Sequence, residues 1–147
     1  MPDLAPEHHA FVAQAEAALG RPLPILEAFS FGDSPGMADE LAELVLAGHK
    51  TATCGWPPSP EIVAGSHSLM LDGRGAPLAV IESVEVRQLP FLEVEAQFAY
   101  DEGEGDRSLA WWRAAHREFF GRQPQGARWS DAELVQCERF RVVWPVE

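Results

Sequence analysis

Positive charge is scarce in this chain of 147 residues: 11 Lys and Arg stand against 23 Asp and Glu, a formal charge of −12. That balance opposes generic adhesion to nucleic acid or to anionic membranes and favours a small, weakly charged ligand. Cysteine is nearly missing. Cys54 and Cys137 are too few for a disulfide framework and too far apart for a zinc-ligand motif, so free thiols in a reducing cytoplasm are expected. The start, Met1 to Glu7, lacks the basic segment and apolar run of a secretion signal. No window reaches the apolar length of a membrane span, so no membrane partner is expected. Lysine is the rarest feature of interest: Lys50 is the only one.

What is present suffices for one domain with a proper core: 46% hydrophobic residues, eight Phe and five Trp. Pro6 to Leu19 reads as a first helix, followed by the linker Arg21 to Pro24. Ile25 to Phe31 leads into a turn, and Pro35 to Ala47 has the stripe Met37, Leu41, Leu44, Val45 of an amphipathic helix. Ser34 suits its N-cap, Pro35 its first turn and Gly48 its exit. Lys50-Thr51-Ala52-Thr53 then changes period and begins a strand, with Thr51 and Thr53 on one face and Lys50 on the other. Gly55 to Pro60 is a rigid proline-rich loop. Ser68–Leu71 and Leu78–Arg87 flank Asp72-Gly73-Arg74-Gly75 as a hairpin. Phe91 to Tyr100 is a short helical pattern and Ser108 to Phe120 a strong helix. Ser130 to Glu133 is a capping-box start for one brief turn, and Glu138 to Trp144 closes the chain as a strand. Strands outside simple βαβ alternation, with helices between them, predict a small mixed barrel ringed by helices.

Three stretches carry candidate chemistry. Lys50 offers an amine that can lose its proton where every other cation is arginine; chance placement in an arginine-rich chain is the competing reading. The loop from Asp101 to Ser108 crowds four carboxylates between glycines. Such crowding raises pKa values and suits general acid–base work, while the plainer reading is charge placed at a helix N-terminus. Its spacing is not that of a calcium loop, and no histidine pair supports a transition metal, so no metal or other cofactor is implied. Glu82 interrupts the apolar face Leu78, Val80, Val84, Val86 and needs a partner if it points inward, or solvent if the strand ends there. Trp56, beside prolines, is either a stacking platform or a core plug. On the helix from Ser108, Trp112 and His116 share the core stripe, which leaves Trp111 facing elsewhere.

Phe31-Gly32-Asp33-Ser34, the helix after it, Gly48-His49-Lys50-Thr51-Ala52-Thr53 and the later Glu-Gly-Glu-Gly-Asp-Arg-Ser together resemble the ASCH domain family. The likeness is strongest to a longer bacterial branch described as predicted RNA-binding proteins. It implies an α+β, PUA-like fold: a small mixed β-barrel with flanking helices over residues 25–147, with 1–24 as an added helix and linker. Some members of that family are amidohydrolases that deacylate the exocyclic amine of cytidine, using a lysine, a threonine three residues later and a distant glutamate. On this chain the resemblance assigns Lys50, Thr53 and Glu102, with Glu104 as the neighbouring rival. In that reading a neutral Lys50 activates the Thr53 hydroxyl, and Glu102 protonates the leaving amine or positions water. Thr51, Cys54, Trp56, Glu82, Glu104, Arg107 and Arg113 complete the expected substrate-binding set. Trp56 would stack on the pyrimidine, backbone amides near Cys54 would meet the oxyanion, and Arg107 or Arg113 would replace an early arginine that shorter members carry. The expected partner is a small nucleoside. Single-stranded RNA, bound or cleaved in the same cleft, is the alternative, and a non-catalytic module for a nucleotide-like ligand is a third class. Oligomeric state is left open.

Overall fold

The computed structural model describes residues 4–146, and they form one five-stranded sheet with four helices. Helix α1 (Pro6–Leu19) buries Val12 and Ala15 and stops at Gly20, whose φ of 69° is left-handed. Strand β1 (Ile25–Phe29), which the sequence marks only as an approach to a turn, pairs in parallel with β3 (His67–Leu71). Helix α2 (Pro35–Leu46) begins as its sequence dictates: the Ser34 hydroxyl accepts the Met37 N–H at 3.2 Å, with Pro35 in the first turn. Strand β2 is short (Ala52–Gly55), so Lys50 and Thr51 precede it. The expected hairpin forms from β3 and β4 (Pro77–Pro90), its turn held by the Asp72 carboxylate, which accepts the Arg74 and Ala76 N–H groups.

The helical pattern from Phe91 divides into a 3₁₀ turn, Phe91–Glu93, and helix α3 (Ala96–Glu102). Helix α4 (Leu109–Arg122) is capped by the Ser108 hydroxyl on the Trp111 N–H at 3.1 Å. The next 3₁₀ turn falls at Gly126–Arg128, before the expected Ser130, and β5 (Leu134–Trp144) starts four residues earlier than its alternation suggests. The early start has a cause: Leu134 to Gln136 pair with the far end of the long β4, from Pro90 to Gln88.

The sheet runs β1-β3-β4-β5-β2. The ladder is open, so the expected barrel reduces to a mixed α+β sheet; β1 and β2 are its two edges. These edge strands both line one cavity, through Glu27 and Phe29 of β1 and Thr53 and Gly55 of β2. The β4–β5 register shifts between Val80 and Ile81 and between Ser83 and Glu85.

Three apolar clusters fill the faces. Val12, Ala15 and Leu23 pack α1 on Leu69, Val80 and Val143. Ala42 and Val45 of α2 meet Met70, Ile81 and Phe140. Phe91, Phe98, Trp112, Phe120 and Val135 join α3 and α4 to the β2–β5 end. No described helix is long and apolar enough to cross a membrane.

Candidate active site

The centre of the site is Lys50, only 2% exposed at the exit of α2. Its ammonium makes three donations: to Glu102 Oε1 at 2.9 Å, to Glu104 Oε2 at 2.8 Å and to the Ala52 carbonyl at 2.9 Å. Three N–H groups meet three acceptors, so the amine is saturated as a donor. Burial opposes its charge, but the two carboxylates outweigh burial and hold its pKa above the ordinary lysine value. Lys50 is therefore an ammonium here, and the expected neutral base is corrected to a fixed positive charge.

Two backbone features bring the acidic loop to it. Thr51 donates its N–H to the Asp101 carbonyl at 2.9 Å, which ties the β2 entrance to the end of α3. Gly103, at φ 73°, closes that helix, and a Cβ there would collide with the His49 carbonyl. Only glycine lets the loop lie this close, and the turn it makes sends Glu102 and Glu104 to the same ammonium from different sides.

The two glutamates differ in burial. Glu102 is 1% exposed and fully partnered. Its Oε1 takes Lys50; its Oε2 accepts the Trp112 indole N–H at 2.7 Å and lies 3.4 Å from His116 Nε2. Burial alone would raise its pKa, yet Lys50 and then His116 and Trp112 hold it far below the usual carboxylate range. Glu104 is more open, its side chain 18% exposed, and it lines the cavity. Burial raises its pKa and the Glu102 charge adds to that, against the pull of Lys50.

His116 stacks on Trp112, with ring centroids 4.1 Å apart, and its Nδ1 lies 2.8 Å from the Trp112 carbonyl. A carbonyl can only accept, so Nδ1 carries the proton. Burial works against the imidazolium, but Glu102 and the carbonyl outweigh it and raise the pKa. His116 is the satisfied histidine its core stripe suggests, and it also orients Glu102.

The cavity beside this cluster has a volume of about 250 Å³. Its chemical wall is Lys50, Thr53, Cys54 and Glu104; its apolar walls come from α2 and α4, with Trp111 and Phe119 prominent. Thr53 supplies the only hydroxyl on this wall. Burial pushes the Cys54 thiol well up, so it stays protonated beside Cys137, its partner across the β2–β5 ladder.

Several expected residues are elsewhere. Trp56 is 8% exposed, packs on Phe120 and Trp129 and gives its N–H to Glu133, so it is a core plug and not a platform. The cavity's indole is Trp111, 37% exposed. Gly105 is the reason it lies flat against the loop, since a Cβ there would overlap the ring. Thr51 faces away from the Glu104 cavity, its hydroxyl near the Asp101 carbonyl, because the strand starts only at Ala52. Burial works to raise the Glu82 pKa, but its hydrogen bond and ion pair with Arg141 at 2.9 Å outweigh burial and lower it; His67 Nε2 lies 3.1 Å away, and Glu82 does not line the cavity. Arg107 lies 3.7 Å over the Tyr100 ring and donates to the Tyr100 carbonyl; Arg113 donates to the Leu92 carbonyl. Neither lines the cavity. The arginine at its mouth is Arg122, tied to Asp33 and Glu118. Its place one turn beyond Glu118 on the same helix as Trp111 was the available signal, but no sequence pattern separates it from Arg117. Among the described residues, no group of three or more His, Cys, Asp or Glu is placed to hold a metal ion.

The ASCH domain family model matches residues 27–144. The fold is similar to that of an ASCH domain from Lactobacillus crispatus, with 28% identity, TM-score 0.85 and 96% of each chain covered. It is also similar to a protein from Enterococcus faecalis, with 29% identity, TM-score 0.79, 92% of this chain covered and 91% of that one. A mutant ASCH protein from Zymomonas mobilis shares the fold at 13% identity and TM-score 0.55, over 82% of this chain and 73% of that one. No curated protein sequence gives a significant match.

Proposed function

Given that the chain belongs to the ASCH domain family, we propose that it is an amidohydrolase for small N-acyl compounds, acylated cytosine nucleosides foremost, in the cytoplasm. The observation that carries this reading is the buried Lys50–Glu104 pair on the wall of a cavity whose only wall hydroxyl is Thr53. Glu104 is the base: a carboxylate with a raised pKa, open to the cavity, accepts a proton better than an ordinary one. It takes the Thr53 proton as the oxygen bonds to the acyl carbon. Protonation of Glu104 weakens its hold on Lys50, and the N–H so released turns to the oxyanion that develops. Glu104 then hands its proton to the departing amine as the C–N bond breaks. Water, with Glu104 again as base, cleaves the acyl-threonine and restores the hydroxyl. Glu102 positions Lys50, with its own charge sequestered by Trp112 and His116.

Charge favours this reading over RNA binding or cleavage. The net charge is −12, and the one arginine at the cavity mouth is already paired with Asp33 and Glu118. The test is hydrolysis of N4-acetylcytidine by the purified protein, with chelator present, followed by ultraviolet absorbance. Turnover is expected in the wild type, none in Thr53→Ala, and a rate reduced by about 10²–10⁴-fold in Glu104→Gln. A folded Glu104→Gln with full activity refutes the mechanism, and an inert wild type refutes the substrate class.

A further inference from the structure

Behind Thr53 the cleft continues into a second chamber, also of about 250 Å³, in the gap between the edge strands β1 and β2. The two chambers share Phe31, Gly32, Thr53, Cys54 and Phe119, so Thr53 stands at their junction. Their linings differ. Away from Lys50 and Glu104 the first is walled by Met37, Leu41, Trp111, Ala115 and Phe119, whereas the second, beside apolar Phe29, Ile62 and Ile81, adds Ser68, Gln136 and Glu138, each less than 10% exposed.

These three groups have spare bonding capacity. The Ser68 hydroxyl has no hydrogen-bond partner among the described residues, though the residue is 7% exposed and lines the chamber. Gln136 uses its oxygen on the Ser59 N–H at 3.1 Å, which leaves its NH₂ to donate. Glu138 accepts the Ser83 hydroxyl on Oε2 at 2.6 Å, which leaves Oε1 to the chamber. A half-open space lined by a hydroxyl, an amide donor and a carboxylate oxygen that the protein leaves uncommitted offers a polar molecule three contacts in one place.

Register fixes where that molecule meets the chemistry. Thr53 pairs directly with Glu138, and Gly55 with Gln136, across the β2–β5 ladder. Directly opposed residues share a face, with Cβ atoms roughly 5 Å apart. Gly55 leaves the floor open, since a Cβ there would meet nothing within 4 Å.

We propose that this second chamber is the amine-side pocket of the substrate, taking a planar nitrogen heterocycle of cytosine type, while the apolar chamber takes the acyl chain. Gln136 donates to a ring acceptor, and Glu138 accepts an N–H of the same edge. The amide carbon then falls at the junction beside Thr53. Burial raises the Glu138 pKa and the Glu27 charge adds to that, against the pull of the Ser83 hydroxyl and Lys50. The assignment rests on the amidohydrolase reading for its substrate but makes a separate claim about binding.

Calorimetric titration of cytidine, the amine-side product, into the intact protein separates the two. Wild type is expected to bind saturably, and Glu138→Gln at least tenfold more weakly. Gly55→Leu, which fills the floor without meeting a neighbour, is expected to abolish binding. In kinetics with N4-butyrylcytidine, Glu138→Gln should raise KM with kcat little altered. Thermal unfolding checks that each variant is folded. Cytidine binding that depends on Glu138 in a protein with no hydrolytic activity supports the pocket and removes the amidohydrolase reading. Hydrolysis with KM indifferent to both Glu138→Gln and Gly55→Leu does the reverse, as does the absence of cytidine binding to an active wild type.

Discussion

Replacing Lys50 by methionine keeps the aliphatic stem and removes only the ammonium. Three hydrogen bonds go at once, and the partners suffer unequally. Glu104, with 18% of its side chain exposed, can turn to water. Glu102, at 1%, cannot, and keeps only the Trp112 N–H at 2.7 Å and His116 at 3.4 Å. Breaking a buried pair from one side costs roughly 3–5 kcal/mol. The two surviving partners of Glu102 place this case near the low end, at about 3 kcal/mol. With a urea slope of ~2 kcal/mol per molar, the unfolding midpoint should fall by about 1.5 M at unchanged slope, read by tryptophan fluorescence. Adding Glu102→Gln removes the orphaned charge, so the double variant should regain part of the loss. The pH dependence follows from the sign of each shift. Lys50 is raised in the folded state, so its contribution is complete below pH 10.5 and fades as pH climbs through the folded value. Glu102 is lowered, so its contribution holds above pH 4.5 and is lost as pH falls toward its folded value. A midpoint shift under ~0.5 M, or a double variant no better than the single one, would refute the account of Lys50 as a charge held by a buried carboxylate.

Three further outcomes are expected. Glu104→Gln should reduce kcat on N4-acetylcytidine by about 10²–10⁴-fold. Because burial raises the Glu104 pKa, the wild-type acid limb should lie above the ordinary carboxylate value of 4.5 and vanish in that variant; an acid limb that persists there excludes Glu104 as the base. Gly105→Ala, at φ 57°, drives a methyl group into the Trp111 ring and should raise KM about tenfold while indole fluorescence shifts; an unchanged KM means Trp111 does not touch substrate. Trp56→Phe should leave KM alone yet cost about 1–3 kcal/mol in urea unfolding, since the Glu133 carboxylate loses its indole donor.

Local chemistry made much of this molecule legible in its sequence. Ser34, Pro35 and Ser108 mark helix starts because capping is a short-range bond, and Lys50 stands out by rarity alone. Long-range geometry hid the rest. That Glu104 and not Glu102 meets the cavity depends on the left-handed Gly103, and the acidic run gives no sign of which carboxylate the turn buries. Trp56 takes the plug reading and not the platform because Phe120 and Trp129 pack on its ring, and Trp111, left off the core stripe, is the indole that lines the cavity. Arg107 is spent on Tyr100 and Arg113 on a carbonyl, so nearness in sequence to the acidic loop misled. The chamber at Glu138 was illegible because it exists only where two edge strands, far apart in the chain, fail to meet.

The distance along the chain between Lys50 and Glu102, 52 residues, also imposes an order on folding. An ammonium without acceptors costs several kcal/mol to bury, so the exit of α2 cannot settle until α3 has arrived with its carboxylates. The β3–β4 hairpin lies wholly between the two segments and is free to form earlier from local contacts. Native burial of Trp112, whose N–H caps the same carboxylate, should then belong to the last refolding phase seen by stopped-flow fluorescence, and a hairpin-deep intermediate should carry no competent cleft. Catalytic competence would thus be gained in the step that commits the whole domain, so partly folded chains would be inactive instead of indiscriminately hydrolytic.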